Sequence, residues 1–190
     1  QIKEKIDYLI GSSDTGRILR EGLNVAIVGR PNVGKSSLMN AILRESRAIV
    51  TEIPGTTRDT IEELINVRGI PVNLIDTAGI RTTDDVIEQI GIDKSKKSLE
   101  SADLVIFMID LTSEISDEDY DILSQVDRSK LLILFNKADE TARIKEEDMI
   151  SFADGMRYML TSVNDSKSVD EVENAIFEKA GGNLLLGKES

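Results

Sequence analysis

Short apolar runs alternate with amphipathic stretches along this chain. Three nearly continuous apolar runs predict strands that are covered on both faces: residues 23–28, 104–109 and 131–135. Residues 61–67 and 72–75 flank the turn signal Arg68-Gly69, which predicts an antiparallel pair of strands. Residues 158–160 form a last short apolar run and predict a sixth strand.

The segments between these runs predict helices and loops. Helices are expected at residues 36–43, 87–99, 114–128 and 169–180, and loops at 45–60 and 77–85. Gly181-Gly182 ends the last helix as a C-cap signal, and an amphipathic helix over residues 2–10 precedes the first strand. This order predicts an α/β fold, with a doubly wound, mostly parallel sheet of six strands and one antiparallel edge strand.

Composition excludes several kinds of chemistry. The 190 residues contain no His and no Cys, which excludes a histidine base, thiolate catalysis and a zinc–cysteine site within this chain. The net charge is −12 and the longest basic cluster, Lys94, Lys96 and Lys97, is short, so the chain alone is a poor candidate for nucleic-acid binding by phosphate neutralisation. No apolar run approaches the roughly 20 residues of a membrane span. We therefore expect no membrane contact.

The first apolar run leads into a phosphate-binding signature. Residues 29–36 read GRPNVGKS and match G-x-x-x-x-G-K-[ST] between a predicted strand and a predicted helix. Such a loop turns backbone N–H groups towards phosphate oxygens, and the helix N-terminus adds its dipole. Lys35 would meet the β- and γ-phosphates, and the Ser36 hydroxyl would bind Mg²⁺. The predicted phosphate-binding residues are Asn32, Val33, Gly34, Lys35, Ser36 and Ser37.

A second sequence element, which begins with an acidic residue, follows the predicted strand pair. Asp76-Thr77-Ala78-Gly79 ends the predicted strand 72–75. Asp76 can hold Mg²⁺ and its water shell there, and the Gly79 N–H can meet the γ-phosphate. This tetrapeptide pattern is common in turns, and its position after the phosphate loop gives it meaning.

A third element predicts recognition of guanine, and hence of GTP and GDP. Asp139 can accept hydrogen bonds from the guanine N1–H and exocyclic amine, whereas adenine would leave this carboxylate unpaired. Asn136 can bond the other edge of the base, and the Lys137 stem can cover its face. Ser162 and Val163 follow the last strand and are expected to touch the base, although Val163 departs from the usual Ser-Ala pair.

Three further segments carry a family resemblance. Residues 16–22 read GRILREG, residues 48–59 read AIVTEIPGTTRD, and residues 87–92 read IEQIGI. With the three elements above, they resemble the G domain of the MnmE (TrmE) family of tRNA-modification GTPases over nearly the whole chain. Ribosome-assembly GTPases of the Der and Era type share the phosphate loop and part of residues 48–59, and they are the alternative.

The resemblance implies a domain arrangement and partners. The G domain would occupy residues 21–181, residues 1–20 would lead from a helical domain, and residues 182–190 would be a linker or a cut end. Because the first residue is not Met, we expect a fragment. The family acts with a flavoprotein, MnmG (GidA), on the wobble uridine of certain tRNAs. Contact with tRNA would then go through that complex, in the cytoplasm, rather than through this acidic domain.

The residue that orients the catalytic water is not obvious from the residues alone. Many GTPases place a glutamine after the glycine of the second element, but Ile80 stands there. The downstream acids Asp84, Asp85 and Glu88 are all possible from the residues alone. The resemblance selects Glu88, which with Lys35 would form the catalytic pair.

The resemblance also implies a K⁺ ion at the β–γ phosphate bridge. The ion would be held by Asn32 and by carbonyl groups near Thr51 and Ile53, and GTP-bound G domains would face each other as a homodimer. Arg58 and Arg81 are rival candidates for neutralising the same charge, as arginine fingers.

The segment 48–59 would complete the Mg²⁺ site. Thr57 is expected to bind Mg²⁺ together with Ser36 and Asp76, and Thr56 to contact GTP. These loops serve equally an enzyme with a hydrolysis-driven cycle and a dimerisation module that hydrolysis only resets. An ATPase is disfavoured by Asn136 and Asp139.

Overall fold

Six strands form one sheet in the computed structural model, which describes residues 16–45, 62–76 and 99–181. The strands are β1 (Leu23–Val28), β2 (Glu62–Val67), β3 (Ile70–Asp76), β4 (Leu104–Asp110), β5 (Leu131–Asn136) and β6 (Tyr158–Leu160). Their spatial order is β2-β3-β1-β4-β5-β6, and only the edge strand β2 runs antiparallel to its neighbour. The predicted fold class is therefore confirmed.

Helices cover both faces of this sheet. The longer ones in the described part of the chain are α1 (Lys35–Glu45), α2 (Asp117–Ser124), α3 (Glu146–Ala153) and α4 (Ser166–Lys179). Residues 16–21 and 99–101 are also helical, and Arg128–Lys130 forms a short 3₁₀ turn. The predicted helix 2–10, the loop 77–85, most of the loop 45–60 and nearly all of the helix 87–99 lie outside the described residues.

The helix α3 had no counterpart in the predictions. Its first turn, Glu146-Glu147-Asp148, is acidic, which suits the positive end of a helix dipole. Met149 and Phe152 are buried against the sheet. With eight residues and few buried positions, α3 gives only a weak periodic signal, and its stability comes from packing rather than from propensity.

Two apolar layers explain the continuous apolar runs. On one face, Ile42 of α1 and Ile176 of α4 belong to the same buried cluster as Ile106 of β4. On the other, Phe152 of α3 packs with Phe107 of β4, their ring centroids 5.9 Å apart. Successive side chains of β4 enter opposite layers, so both need to be apolar.

The β2–β3 hairpin has the turn that the sequence predicts. Arg68 and Gly69 both have positive φ, of 53° and 88°, which is the backbone of a two-residue hairpin turn. The side-chain oxygen of Asn66 accepts a hydrogen bond of 2.7 Å from the Gly69 N–H. Since β3 pairs with β1 in parallel, Asp76 lies opposite Ile27. The hairpin thus delivers Asp76 to the edge at which β1 ends.

Candidate functional site

The loops after β1, β5 and β6 meet at the carboxyl edge of the parallel strands. Ligands of open α/β sheets bind at this edge. The phosphate loop, residues 29–36, follows β1, and the base loop, residues 136–139, follows β5. Residues 161–164 follow β6 and lie beside the base loop, because the Ala138 N–H donates 3.0 Å to the Thr161 carbonyl. The phosphate loop, the base loop and the loop after β6 therefore share one site, while residues 77–79 of the second predicted element lie outside the described part of the chain.

The phosphate loop is shaped by two residues with positive φ and by hydrogen bonds from its lysine to its own carbonyl groups. Asn32 and Gly34 have φ of 65° and 108°, which turns the chain back on itself before α1 begins. The Lys35 ammonium group donates to the carbonyls of Gly29 and Arg30, at 2.6 Å each. Lys35 is only 8% exposed, so its charge lies inside the loop, where phosphate oxygens would meet it.

Asn136 joins the base loop to the phosphate loop. Its Nδ2 donates 2.8 Å to the carbonyl of Val33, across 103 positions of sequence, and the residue is fully buried. This approach requires Gly34, because a Cβ there would lie 2.4 Å from the same Nδ2. Asn136 Oδ1 is buried and has no hydrogen-bond partner among the described residues. Such an acceptor fits a site that is completed by a ligand.

Lys137 is fixed by a carboxylate at the end of β4. Its ammonium group lies 2.6 Å from Asp110 Oδ2, and its backbone has a left-handed φ of 66°. Burial alone would raise the pKa of Asp110, but hydrogen bonds from Lys137 and Thr112 outweigh it and lower the pKa below its ordinary 3.8. Asp110 is therefore ionised near neutral pH. This ion pair holds the Lys137 side chain in place within the base loop.

Asp139 is exposed and oriented by the loop after β6. The Ser162 hydroxyl and the Asn164 side-chain amide both bond its carboxylate, the latter at 3.1 Å, and they lower its pKa from 3.8. Ser162 is itself 5% exposed. An ionised, oriented and accessible carboxylate is what the predicted bonds to the guanine N1–H and amine require. Val163 is partly buried and packs against the apolar core.

The structure places part of the predicted metal site. Ser36 and Ser37 lie in the first turn of α1 and are exposed, and the backbone of Asp76 ends β3 opposite Ile27 of β1, two residues before the phosphate loop begins. A hydroxyl and a carboxylate are hard oxygen donors that suit Mg²⁺. The remaining predicted residues lie outside the described part of the chain: Thr51, Ile53, Thr56, Thr57, Gly79 and Glu88, with Arg58, Arg81, Asp84 and Asp85.

Sequence reasoning missed four residues that hold the site together: Arg30, Asp110, Asp119 and Asn164. Asp110 gave a usable signal, because it ends an apolar strand just as Asp76 does. Arg30 and Asp119 gave none, since they pair across 89 positions.

Within residues 16–45, 62–76 and 99–181 no group of three or more acidic side chains could hold a metal ion. No helix in these ranges is both long and apolar enough to span a bilayer.

Comparison with known proteins agrees with this geometry. Residues 24–137 match the family model described as 50S ribosome-binding GTPase. The tRNA modification GTPase MnmE of Alkaliphilus metalliredigens is 52% identical over 178 residues, which cover 94% of this chain and 39% of that protein. MnmE of Clostridioides difficile is 46% identical over 93% of this chain and 38% of its own length. The chain thus spans about two fifths of these relatives.

Solved structures with the same fold are GTPases too. A structure of Aquifex aeolicus Era bound to GDP·AlF4⁻ has a TM-score of 0.59 and 28% identity, over 82% of this chain and 56% of that chain. The G domain of the T. maritima FeoB iron transporter has a TM-score of 0.58 and 28% identity, over 83% and 98%. The chain belongs to the family whose model is described as 50S ribosome-binding GTPase: it is a P-loop GTPase domain, and over more than nine tenths of its length it is similar to part of the tRNA modification GTPases named MnmE.

Proposed function

We propose that this chain is the GTP-driven switch of an enzyme that modifies the wobble uridine of tRNAs. The observation that carries the proposal is the identity of 44–52% to proteins named tRNA modification GTPase MnmE over more than nine tenths of the chain. The chain contributes the nucleotide cycle, and the remaining three fifths of the relatives' length would supply tRNA recognition. Its charge of −12 supports that division, because phosphate-rich tRNA would be repelled by this domain.

Guanine is selected by a carboxylate that needs two donors. Ser162 and Asn164 orient the Asp139 carboxylate by hydrogen bonds. Asn136 joins the base loop to the phosphate loop by its hydrogen bond to the Val33 carbonyl. Adenine presents no N1–H, so it would leave Asp139 without partners. Lys35 meets the β- and γ-phosphates from inside the loop.

Mg²⁺ is the expected cofactor at the γ-phosphate. Ser36, Thr57 and Asp76 would hold it, and it would neutralise charge on the β- and γ-phosphate oxygens. The chain's own part would be to supply these oxygen ligands to the ion and the Lys35 ammonium group to the phosphates.

A K⁺ ion, a second copy of the domain and Glu88 complete the proposed hydrolysis. Asn32 is exposed at the tip of the phosphate loop, with φ of 65°, and is accessible to an ion or to a facing domain. Together with carbonyls near Thr51 and Ile53 it would hold K⁺. Ile80 has no polar group with which to orient the attacking water, and the resemblance to MnmE assigns that role to Glu88 rather than to Asp84 or Asp85.

Turnover of GTP in matched KCl and NaCl buffers tests this account. We expect faster turnover in KCl, and a loss of this difference in Asn32→Ala. Glu88→Ala should bind GTP normally and turn over slowly, whereas Asp84→Ala and Asp85→Ala serve as matched acidic controls and should behave like the unchanged chain. Equal turnover in both salts would refute the role of K⁺, and normal turnover in Glu88→Ala would refute the role of that carboxylate.

The partner proposal is tested in the full-length protein. We expect it to co-purify from the cytoplasm with the flavoprotein MnmG and to act on tRNA through that complex. A Glu88→Ala version that binds GTP but does not turn over should abolish modification if the hydrolysis cycle drives it. Normal modification by this variant would instead show that nucleotide-gated dimerisation is sufficient.

A ribosome-assembly GTPase of the Der or Era type is the second candidate. The match to a family model described as 50S ribosome-binding GTPase and the resemblance to Era favour it. The identity to Era is 28%, against 52% to an MnmE protein, so we place it second. Co-sedimentation of the full-length protein with ribosomal subunits, and not with a flavoprotein, would reverse that order.

A further inference from the structure

The side chain of Arg30 leaves the phosphate loop and is bound by the segment that precedes and begins α2. Its Nε lies 2.9 Å from Asp119 Oδ1. Its terminal nitrogen donates 3.0 Å to the Ser113 hydroxyl and 3.2 Å to the Glu114 carbonyl. The guanidinium group is thus held at three points by residues outside the phosphate loop.

The Asp119 carboxylate is held in one position by burial and by hydrogen bonds. Its side chain is 0% exposed. Its second oxygen, Oδ2, accepts hydrogen bonds from the backbone N–H and the hydroxyl of Ser116, at 2.9 and 3.0 Å. A buried carboxylate is stable only when it is paired and hydrogen-bonded, so Arg30 and Asp119 each fix the position of the other.

The pair acts on the part of the loop that meets phosphate. The Arg30 carbonyl accepts a 2.6 Å hydrogen bond from the Lys35 ammonium group, and the Gly29 carbonyl accepts another of the same length. A shift of the Arg30 backbone would therefore move an oxygen that holds the phosphate-binding lysine. Asp119 lies on α2 and makes this contact from outside the loop.

We propose that Asp119 is a positioning residue for phosphate recognition, acting through Arg30 on the phosphate loop and Lys35. It sets the affinity for the phosphate groups of the nucleotide, and it leaves recognition of the base to Asn136 and Asp139. The inference rests on nucleotide binding at this site, which the unchanged chain tests independently by binding GDP.

The test compares GDP with guanosine, which presents the same base without phosphates. Both affinities are measured by competition against a fluorescent guanine nucleotide, for Asp119→Asn, Arg30→Ala and the double variant. Asp119→Asn should lower the affinity for GDP roughly tenfold, and that for guanosine less than about twofold. The double variant should bind GDP no more weakly than Arg30→Ala alone, because Asp119 acts only through Arg30.

Two further variants separate positioning from general loss of stability. Asp170→Asn removes the exposed ion pair Arg68–Asp170 on another face and should leave both affinities unchanged. Ser113→Ala removes a hydrogen bond to Arg30 without touching a buried charge, and it replaces Asp119→Asn in the test if that variant does not fold. It should lower the affinity for GDP and leave the affinity for guanosine unchanged. Equal losses for GDP and guanosine, or independent losses that add in the double variant, would overturn the proposal.

Discussion

Gly34→Ala is the substitution that most directly probes the junction between the base loop and the phosphate loop. Gly34 has a φ of 108°, and a Cβ on it would lie 2.4 Å from Asn136 Nδ2. That nitrogen makes the 2.8 Å hydrogen bond to the Val33 carbonyl that joins the two loops. The methyl group therefore has two effects, a strained backbone and a displaced amide.

The two effects have separable magnitudes. A left-handed backbone costs an L-residue about 1–2 kcal/mol. Displacing the buried amide of Asn136 from the Val33 carbonyl leaves polar groups unpaired and costs about 1–3 kcal/mol more. The expected loss in the free energy of unfolding is about 2–5 kcal/mol, against a typical total of about 5–15 kcal/mol. The variant should still fold, with a weakened site.

Gly69→Ala is the matched control. Gly69 also has a positive φ, of 88°, but a Cβ there would meet nothing within 4 Å. Urea denaturation should show a loss of about 1–2 kcal/mol for Gly69→Ala and a clearly larger one for Gly34→Ala. Only the latter should weaken GDP binding. Equal losses in the two variants, or unchanged GDP binding in Gly34→Ala, would refute the junction.

Three further substitutions probe the neighbouring side chains. Asp139→Asn should shift the binding preference from guanine towards xanthine nucleotides, because its amide can donate to the xanthine C2 carbonyl; competition by GDP and XDP measures this. Asp110→Asn should be less stable than the unchanged chain at pH 7. Because the folded pKa of Asp110 is lowered, this difference should shrink as the pH falls below 3.8, which urea titrations at several pH values would detect. Thr161→Val should be neutral or more stable in urea, by up to about 1 kcal/mol, because the buried Thr161 hydroxyl has no partner among the described residues.

The sheet was predictable because its strands are covered on both faces. Burial on both sides demands nearly continuous apolar runs, and β1, β4 and β5 show them, interrupted only by Asn24 in β1 and by the polar residues Asp110 and Asn136 that end β4 and β5. The hairpin was predictable from Arg68-Gly69, since glycine favours the positive φ that such a turn needs. The short helix α3 was not predictable, because packing rather than local sequence stabilises it.

The site divides in the same way. The phosphate loop and the base loop are contiguous in sequence, so their residue types and spacing carry their chemistry. The contacts that hold them are not contiguous: Asn136 reaches Val33 across 103 positions, and Arg30 reaches Asp119 across 89. Such pairs depend on strand order and register, which local sequence patterns do not encode. The chemistry of the loops can therefore be predicted from the sequence, whereas the long-range contacts that hold the loops in place can be identified only from the structure.

Phosphate release from GTP and from ATP by this chain, measured side by side with Mg²⁺ and KCl present, decides whether the site is a guanine-selective GTPase. We expect turnover of GTP and at least about 1000-fold slower turnover of ATP at the same concentration, because adenine leaves Asp139 without its two donors. Comparable turnover of the two nucleotides would contradict it.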